Sequence, residues 1–203
     1  MVGVHQSRGQ PPVEVFRSLF PGGEGRAEAA AMSFERSLRT AVERTGLSPA
    51  AGAEKAIKEL RNLGVRVCLV TGLSRRLLGV VLDTLHWWRL VDLALCPEDA
   101  PRGCPWPDLM LSAMLRLGVE DVAEVAFAGS SASEVLCGRR SGAGIVAGVL
   151  AGGHTADRLR KAGATHLISG IGELPGLLAG GAARSPSTSP SPRVPLERRG
   201  AGL

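Results

Sequence analysis

The chain has 203 residues, 44% of them hydrophobic and 3% aromatic, with no tyrosine and a formal net charge of +5. That apolar share excludes whole-chain disorder, and the shortage of rings excludes the stacking platforms that single-stranded nucleic acid needs. Arg184, Arg193, Arg198 and Arg199 against Glu197 supply most of the net charge, so no folded basic face and no nucleic-acid partner are expected.

No apolar run approaches the ~20 residues of a membrane helix, and MVGVHQSRGQPP lacks the features of a signal peptide. A cytoplasmic protein without a membrane partner is expected. The cysteines Cys68, Cys96, Cys104 and Cys137 show no C-x-x-C spacing, which argues against structural zinc. Residues 1–31 are rich in Gly, Pro and Ala and read as a poorly ordered segment, apart from a possible short helix over Val13–Phe20. The Ser/Pro/Arg stretch 180–203 reads as a disordered tail.

Between the ends, Phe34, Leu38, Ala41 and Val42 recur at helical spacing with Ser33 as a cap, giving a helix within 32–48. A second amphipathic helix, 51–63, leads to VRVCLV (65–70), a continuously apolar run expected of a strand buried on both faces. Ser74 caps a helix to Leu85, and VDLALC (91–96) is the next strand. A Pro-rich loop precedes a helix over Asp108–Leu117. Strand 122–129, helix 131–141, strand 144–150, helix 155–162, strand 166–168 and a helix after Glu173 complete a core over 49–179. Alternating strands and helices predict an α/β fold with a parallel sheet covered on both faces. Ligands of such sheets gather at the carboxyl ends of the strands, here Thr71-Gly72, Pro97–Gly103, Gly129–Ser133 and Ala151–Thr155.

Strand-Thr71-Gly72, then Arg102-Gly-Cys-Pro-Trp-Pro-Asp108, then strand-Gly129-Ser-Ser-Ala-Ser-Glu134 form an ordered set. It resembles the haloacid dehalogenase superfamily and its phosphonatase-like branch, in register from about Phe34 to Leu178. The resemblance implies a Rossmann-like three-layer parallel sheet with a residual helical cap at 32–48. It implies phosphoryl-group hydrolysis through an aspartate nucleophile at the end of the first strand, with an acid two residues later. It also implies a phosphate-binding Thr, a basic residue before Pro-x-Pro, and loop carboxylates that hold Mg²⁺.

Thr71 and Gly72 fit the phosphate-binding position, and Arg102 is the nearest cation to the basic position, where Cys104 stands. In the metal loop the family's Gly-Asp-Thr-x-x-Asp reads Gly129-Ser130-Ser131-Ala132-Ser133-Glu134, which leaves Ser130 and Glu134 as a weak, vestigial metal site. Gly129 and Ser131 open the following helix, where backbone N–H groups hold anions in many proteins. The first aspartate of the sequence is Asp83, and no glutamate before Thr71 follows a strand-like run, so no catalytic nucleophile is assigned. Lys55, Lys58 and Lys161 match no cap lysine for the Schiff base of phosphonoacetaldehyde cleavage.

The family's first strand lies at the centre of its sheet, between the strands read here at 65–70 and 122–128. A strand of about six residues there shares on the order of ten backbone hydrogen bonds with its neighbours. Either the chain is truncated, or the two edges pair directly, or an oligomer or partner strand fills the gap. Two functions follow as expectations. One is a phosphonatase-like hydrolase by descent, impaired for lack of nucleophile, general acid and metal aspartate. The other is a pseudoenzyme that binds a phosphorylated or phosphonate metabolite, or another protein. A homo-oligomer is an open expectation.

Overall fold

The computed structural model describes residues 11–181; the expected tail beyond 181 and residues 1–10 lie outside the described residues. Two helices open the fold: α1 (Pro12–Leu19), with proline at its first position, and α2 (Glu24–Thr45). The helix expected from Ser33 begins nine residues earlier, at Glu24. Residues 24–31, expected to be poorly ordered, are therefore helical, and the short helix read as possible over Val13–Phe20 is present as α1. Their stabilisation is tertiary: Phe16 and Phe34 meet edge-on at 6.3 Å, and Ala27 and Ala31 are buried. Ala-rich composition suits a helix once it has a partner to pack on.

The remaining elements are α3 (Ala53–Asn62), β1 (Cys68–Val70), α4 (Arg75–Leu85), β2 (Leu93–Leu95), α5 (Asp108–Leu117), β3 (Ala126–Gly129), α6 (Ala132–Arg140), β4 (Ile145–Val149), α7 (Ala156–Lys161), β5 (His166–Ile168) and α8 (Leu174–Gly181). Ser74, Ser131 and Thr155 each turn a side-chain oxygen onto a backbone N–H at the start of α4, α6 and α7. All strand pairs are parallel.

Helices cover both faces. On one, Met110 of α5, Val135 and Cys137 of α6 and Leu159 of α7 pack with Phe127 and Val146. On the other, Leu60 of α3 and Leu174 of α8 pack with Ala147 and Val149, while Ile57 of α3 joins Leu78 and Leu82 of α4. The α/β, three-layer architecture expected from the sequence is present.

The sheet, however, comes in two pieces among the described residues: β1 with β2, and β3 with β4 and β5. β1 and β3 do not pair, which removes direct closure of the two edges from the expected alternatives. The strand around Cys68–Val70 was expected to be buried on both faces, yet all three residues are only half-buried. The cause is the open edge beside it, since β4, with a strand on each side, is almost wholly buried. Among the described residues no helix is long and apolar enough to cross a membrane.

Candidate functional site

The carboxyl ends of β1 and β3 present two loops, each leading into a helix. In the first, Thr71 continues β1, its N–H donating to Leu95 O at 3.0 Å. The Thr71 hydroxyl accepts from Leu73 N at 3.2 Å, folding Thr71, Gly72 and Leu73 into a tight turn before Ser74. Thr71 and Gly72 are half-buried. The α4 N-terminus that follows is already engaged. Ser74 Oγ donates to Glu35 Oε2 at 2.7 Å, and Ser74 N donates to Glu35 Oε1 at 3.3 Å. Arg75 N donates to Glu98 Oε1 at 3.0 Å. Two carboxylates of the chain therefore sit where the helix dipole and free N–H groups favour an anion.

The second loop is built likewise. Glu134 Oε2 accepts from Ser130 N at 2.8 Å and from Ser131 N at 3.0 Å, while Ser131 Oγ accepts from Glu134 N at 3.2 Å. This is a capping box, in which each side chain accepts from the other residue's backbone N–H at the α6 N-terminus. The adjoining donor, Ala132 N, is taken by Nδ1 of the buried His154 at 2.9 Å. Gly129 makes the fold-back of Glu134 possible, because a Cβ there would lie 2.7 Å from Glu134 Cβ and 2.8 Å from a Phe127 ring carbon. Gly152 presses equally closely on Ser130: an added Cβ would come within 2.0 Å of Ser130 Cβ.

The structure thus brings Gly129, Ser130, Ser131 and Glu134 together, but it turns Glu134 toward backbone donors. A Mg²⁺ ion asks for several hard, anionic oxygens in octahedral array. This donor set offers one carboxylate, with an oxygen already holding two N–H groups, and a neutral hydroxyl; it does not fit the ion. Among the described residues no group of three His, Cys, Asp or Glu side chains is placed to hold a metal.

Arg102 is engaged within its own loop. Its Nε and Nη2 donate to the two oxygens of Asp108, both at 2.8 Å, and its guanidinium lies 4.4 Å from the centre of the Trp106 ring. Arg140 stacks at 4.9 Å on the same ring. The bidentate pair holds the Arg102 pKa up and that of Asp108 down, each through their shared hydrogen bonds. Cys104, at the family's basic position, packs against the cluster that contains Cys137. Hydrogen bonding with Cys137 lowers the Cys104 pKa, against the effect of its burial.

Three contributors were not assigned from the sequence. Glu35 comes from α2 and carries no local sign of its contact with Ser74. His154 follows β4 and meets Ala132 only in three dimensions. Asp99, just after β2, accepts from Cys96 N at 3.0 Å and pairs with Arg75 at 2.8 Å and Arg116 at 2.9 Å. Burial would raise its pKa, but the Cys96 N–H and the two guanidiniums outweigh this and hold it down at about 2. The Ser131-x-x-Glu134 spacing is a capping-box signature that was not used in reading the sequence.

Comparison with known proteins agrees with this architecture. A family model for haloacid dehalogenase-like hydrolases matches residues 15–142, more than half of the chain. A phosphonoacetaldehyde hydrolase of Bacillus cereus is 30% identical over 111 residues, which is 54% of this chain and 41% of that protein. The chain spans less than half the length of the curated relatives it matches. Among solved structures, a hydrolase from Pseudomonas syringae superposes with a TM-score of 0.75 at 20% identity, covering 87% of this chain and 81% of that one. A phosphonoacetaldehyde hydrolase-like protein from Oleispira antarctica does so with a TM-score of 0.57 at 20% identity, covering 64% and 56%. The chain belongs to the haloacid dehalogenase-like hydrolase family, with its likeness on the phosphonatase-like branch.

Proposed function

We propose that this chain is a non-hydrolysing member of its family, a pseudoenzyme that keeps the fold and has given its anion-binding donors to its own carboxylates. The observation that carries this reading is Glu134 Oε2 seated on Ser130 N and Ser131 N. A phosphoryl group approaching that helix would have to displace a covalently tethered anion, whose effective concentration is high. Glu35 and Glu98 fill the α4 N-terminus in the same way. The Thr71 hydroxyl could still donate to an oxygen, but one neutral donor does not neutralise a phosphoryl transition state.

The alternative in which the chain binds a phosphorylated or phosphonate metabolite without turnover calls on these same donors, and draws less support for that reason. A role in binding another polypeptide does not. The test is release of p-nitrophenol from p-nitrophenyl phosphate, and of inorganic phosphate from phosphonoacetaldehyde, by the full chain with Mg²⁺. No release above the protein-free rate is expected. Mg²⁺-dependent turnover that co-purifies with the chain and survives repurification would overturn the proposal.

A further inference from the structure

The four cysteines lie in separate surroundings, and only two of them share one. Cys96 belongs to the buried cluster of Ile57, Leu78 and Leu82, and its thiol donates to Asp99 Oδ2 at 3.3 Å. Cys68 packs with Leu95 and Leu109, and its thiol donates to Leu69 O at 3.5 Å. Cys104 and Cys137 both belong with Met110, Phe127 and Val146, and their thiols hydrogen-bond to one another.

Two further contacts fix this pair. Cys137, in α6, donates its S–H to Trp106 O at 3.0 Å. Arg140, on the next turn of α6, donates from Nη1 to Pro105 O at 3.0 Å. The backbone that directly follows Cys104 is thus clasped by two residues of one helix. The sulfurs differ in access, since Cys104 is half-buried and Cys137 is buried. Their hydrogen bond favours the thiolate at Cys104, against its burial and the Glu134 charge, and keeps the proton on Cys137. A thiolate is the nucleophilic form, so the more accessible sulfur is also the activated one.

We infer that Cys104 and Cys137 form a reversible dithiol–disulfide site, in which Cys104 reacts first with a peroxide and Cys137 resolves the product. In the first step the Cys104 sulfur attacks one peroxide oxygen. An S–O bond forms, the O–O bond breaks, and the leaving hydroxide takes up the proton that the Cys104 thiol released, giving a sulfenic acid and water. In the second step the Cys137 sulfur attacks the Cys104 sulfur. The S–S bond forms, the S–O bond breaks, and the leaving hydroxide carries off the Cys137 proton as a second water. One peroxide is reduced by two electrons while two thiols are oxidised to one disulfide. A dithiol reductant reverses the change by exchange. The disulfide has no S–H, so Trp106 O loses its donor on oxidation, and the redox state reaches the Pro-rich loop. This chemistry goes beyond the proposed function and uses none of the donors at the α4 and α6 N-termini.

The experiment treats the reduced full chain at pH 8 with hydrogen peroxide, once in buffer and once in urea. Remaining thiols are then blocked with N-ethylmaleimide, and tryptic peptides are mapped by mass spectrometry without reduction. The peptides 103–116 and 117–139 should appear joined, two hydrogens lighter than their sum, in a chain that stays monomeric. Dithiothreitol should restore both free thiols. Held proximity raises the effective concentration of the partner thiol, so the native chain should form this link at least about tenfold faster than the unfolded one. In urea, links to Cys68 and Cys96 should compete with it. Cys137→Ser should leave Cys104 as a sulfenic acid that dimedone labels. The wild-type map decides the matter alone if that buried variant does not fold. Links led by Cys68 or Cys96, a native rate no higher than the unfolded one, thiols that stay free, Cys104 carried to sulfinic acid beside a free Cys137, or dimers joined through Cys104 would each overturn the inference.

Discussion

Glu35 and Ser74 stand 39 positions apart in the chain and meet through a 2.7 Å hydrogen bond from the serine hydroxyl to the carboxylate. Through it the α1–α2 hairpin is pinned across the carboxyl end of β1. Pro11, at the start of α1, touches the Pro-rich loop at Gly103, where an added Cβ would come 3.0 Å from the Pro11 ring. The hairpin thus covers the strand ends and supplies one of the anions that sit there.

Glu35→Ala should lower stability by about 1 kcal/mol, the worth of one helix cap with a charged acceptor at a half-buried position. Urea unfolding measures it through the midpoint, at unchanged slope. Glu35→Gln should recover part of the loss, because the amide oxygen still accepts from Ser74.

Gly129→Ala should cost about 1–3 kcal/mol, since the new methyl overlaps both Glu134 Cβ and the Phe127 ring. Glu134→Ala should cost about 1–2 kcal/mol by orphaning Ser130 N and Ser131 N. Because all these atoms are in contact, the double variant should lose less than the sum. Full additivity in thermal or urea unfolding would contradict the packing of the loop.

Asp99 sets an acid limb. Its folded pKa lies near 2, below the ordinary 3.8 of an unfolded aspartate, so its ionised form is the one that folding favours. The stabilisation is complete above about pH 4 and is lost as pH falls toward 2. Its size is about 1–2 kcal/mol, the lower figure allowing for water around the half-exposed Arg75 and Arg116. Asp99→Asn should flatten the stability profile in that window, as followed by urea midpoints from pH 5 downward.

The thiols should divide by reactivity. Burial, reinforced by the Asp99 charge, pushes Cys68 up to about 12; burial and hydrogen bonds to Glu98 and Asp99 do the same for Cys96. Cys137 is raised by its hydrogen bond with Cys104 and by burial, and its thiol donates to Trp106 O at 3.0 Å. Only Cys104 is lowered. Iodoacetamide at pH 8 should therefore alkylate Cys104 first in the native chain, as peptide mapping by mass spectrometry would record. Labelling led by Cys68 or Cys96 would contradict the raised pKa of those two thiols.

Much of the fold was legible because its signals are local. The helices over 75–85 and 108–117 follow from local signals such as the Ser74 cap, and the strands from short apolar runs. The start of α2 was misjudged because Ala-rich residues 24–31 become helical by packing on α1, which no local pattern records. Half-burial of Cys68–Val70 was missed for the opposite reason: an apolar run reports what a strand would bury, while its real exposure depends on its neighbours. At the site, the resemblance placed Gly129, Ser130, Ser131 and Glu134 in one loop, where hydrogen bonds join Ser130, Ser131 and Glu134. The orientation of Glu134, the arrival of Glu35 and the diversion of Arg102 to Asp108 are set by contacts between distant segments.

Filled anion sites are tested most directly by titrating the ¹⁵N-labelled full chain with inorganic phosphate, with and without Mg²⁺, while following the amides of Ser74, Ser130 and Ser131. If Glu35 and Glu134 hold those donors, the three resonances stay in place up to tens of millimolar phosphate and move only in Glu35→Ala or Glu134→Ala. Saturable shifts of the wild-type Ser130 and Ser131 amides at submillimolar phosphate would contradict it.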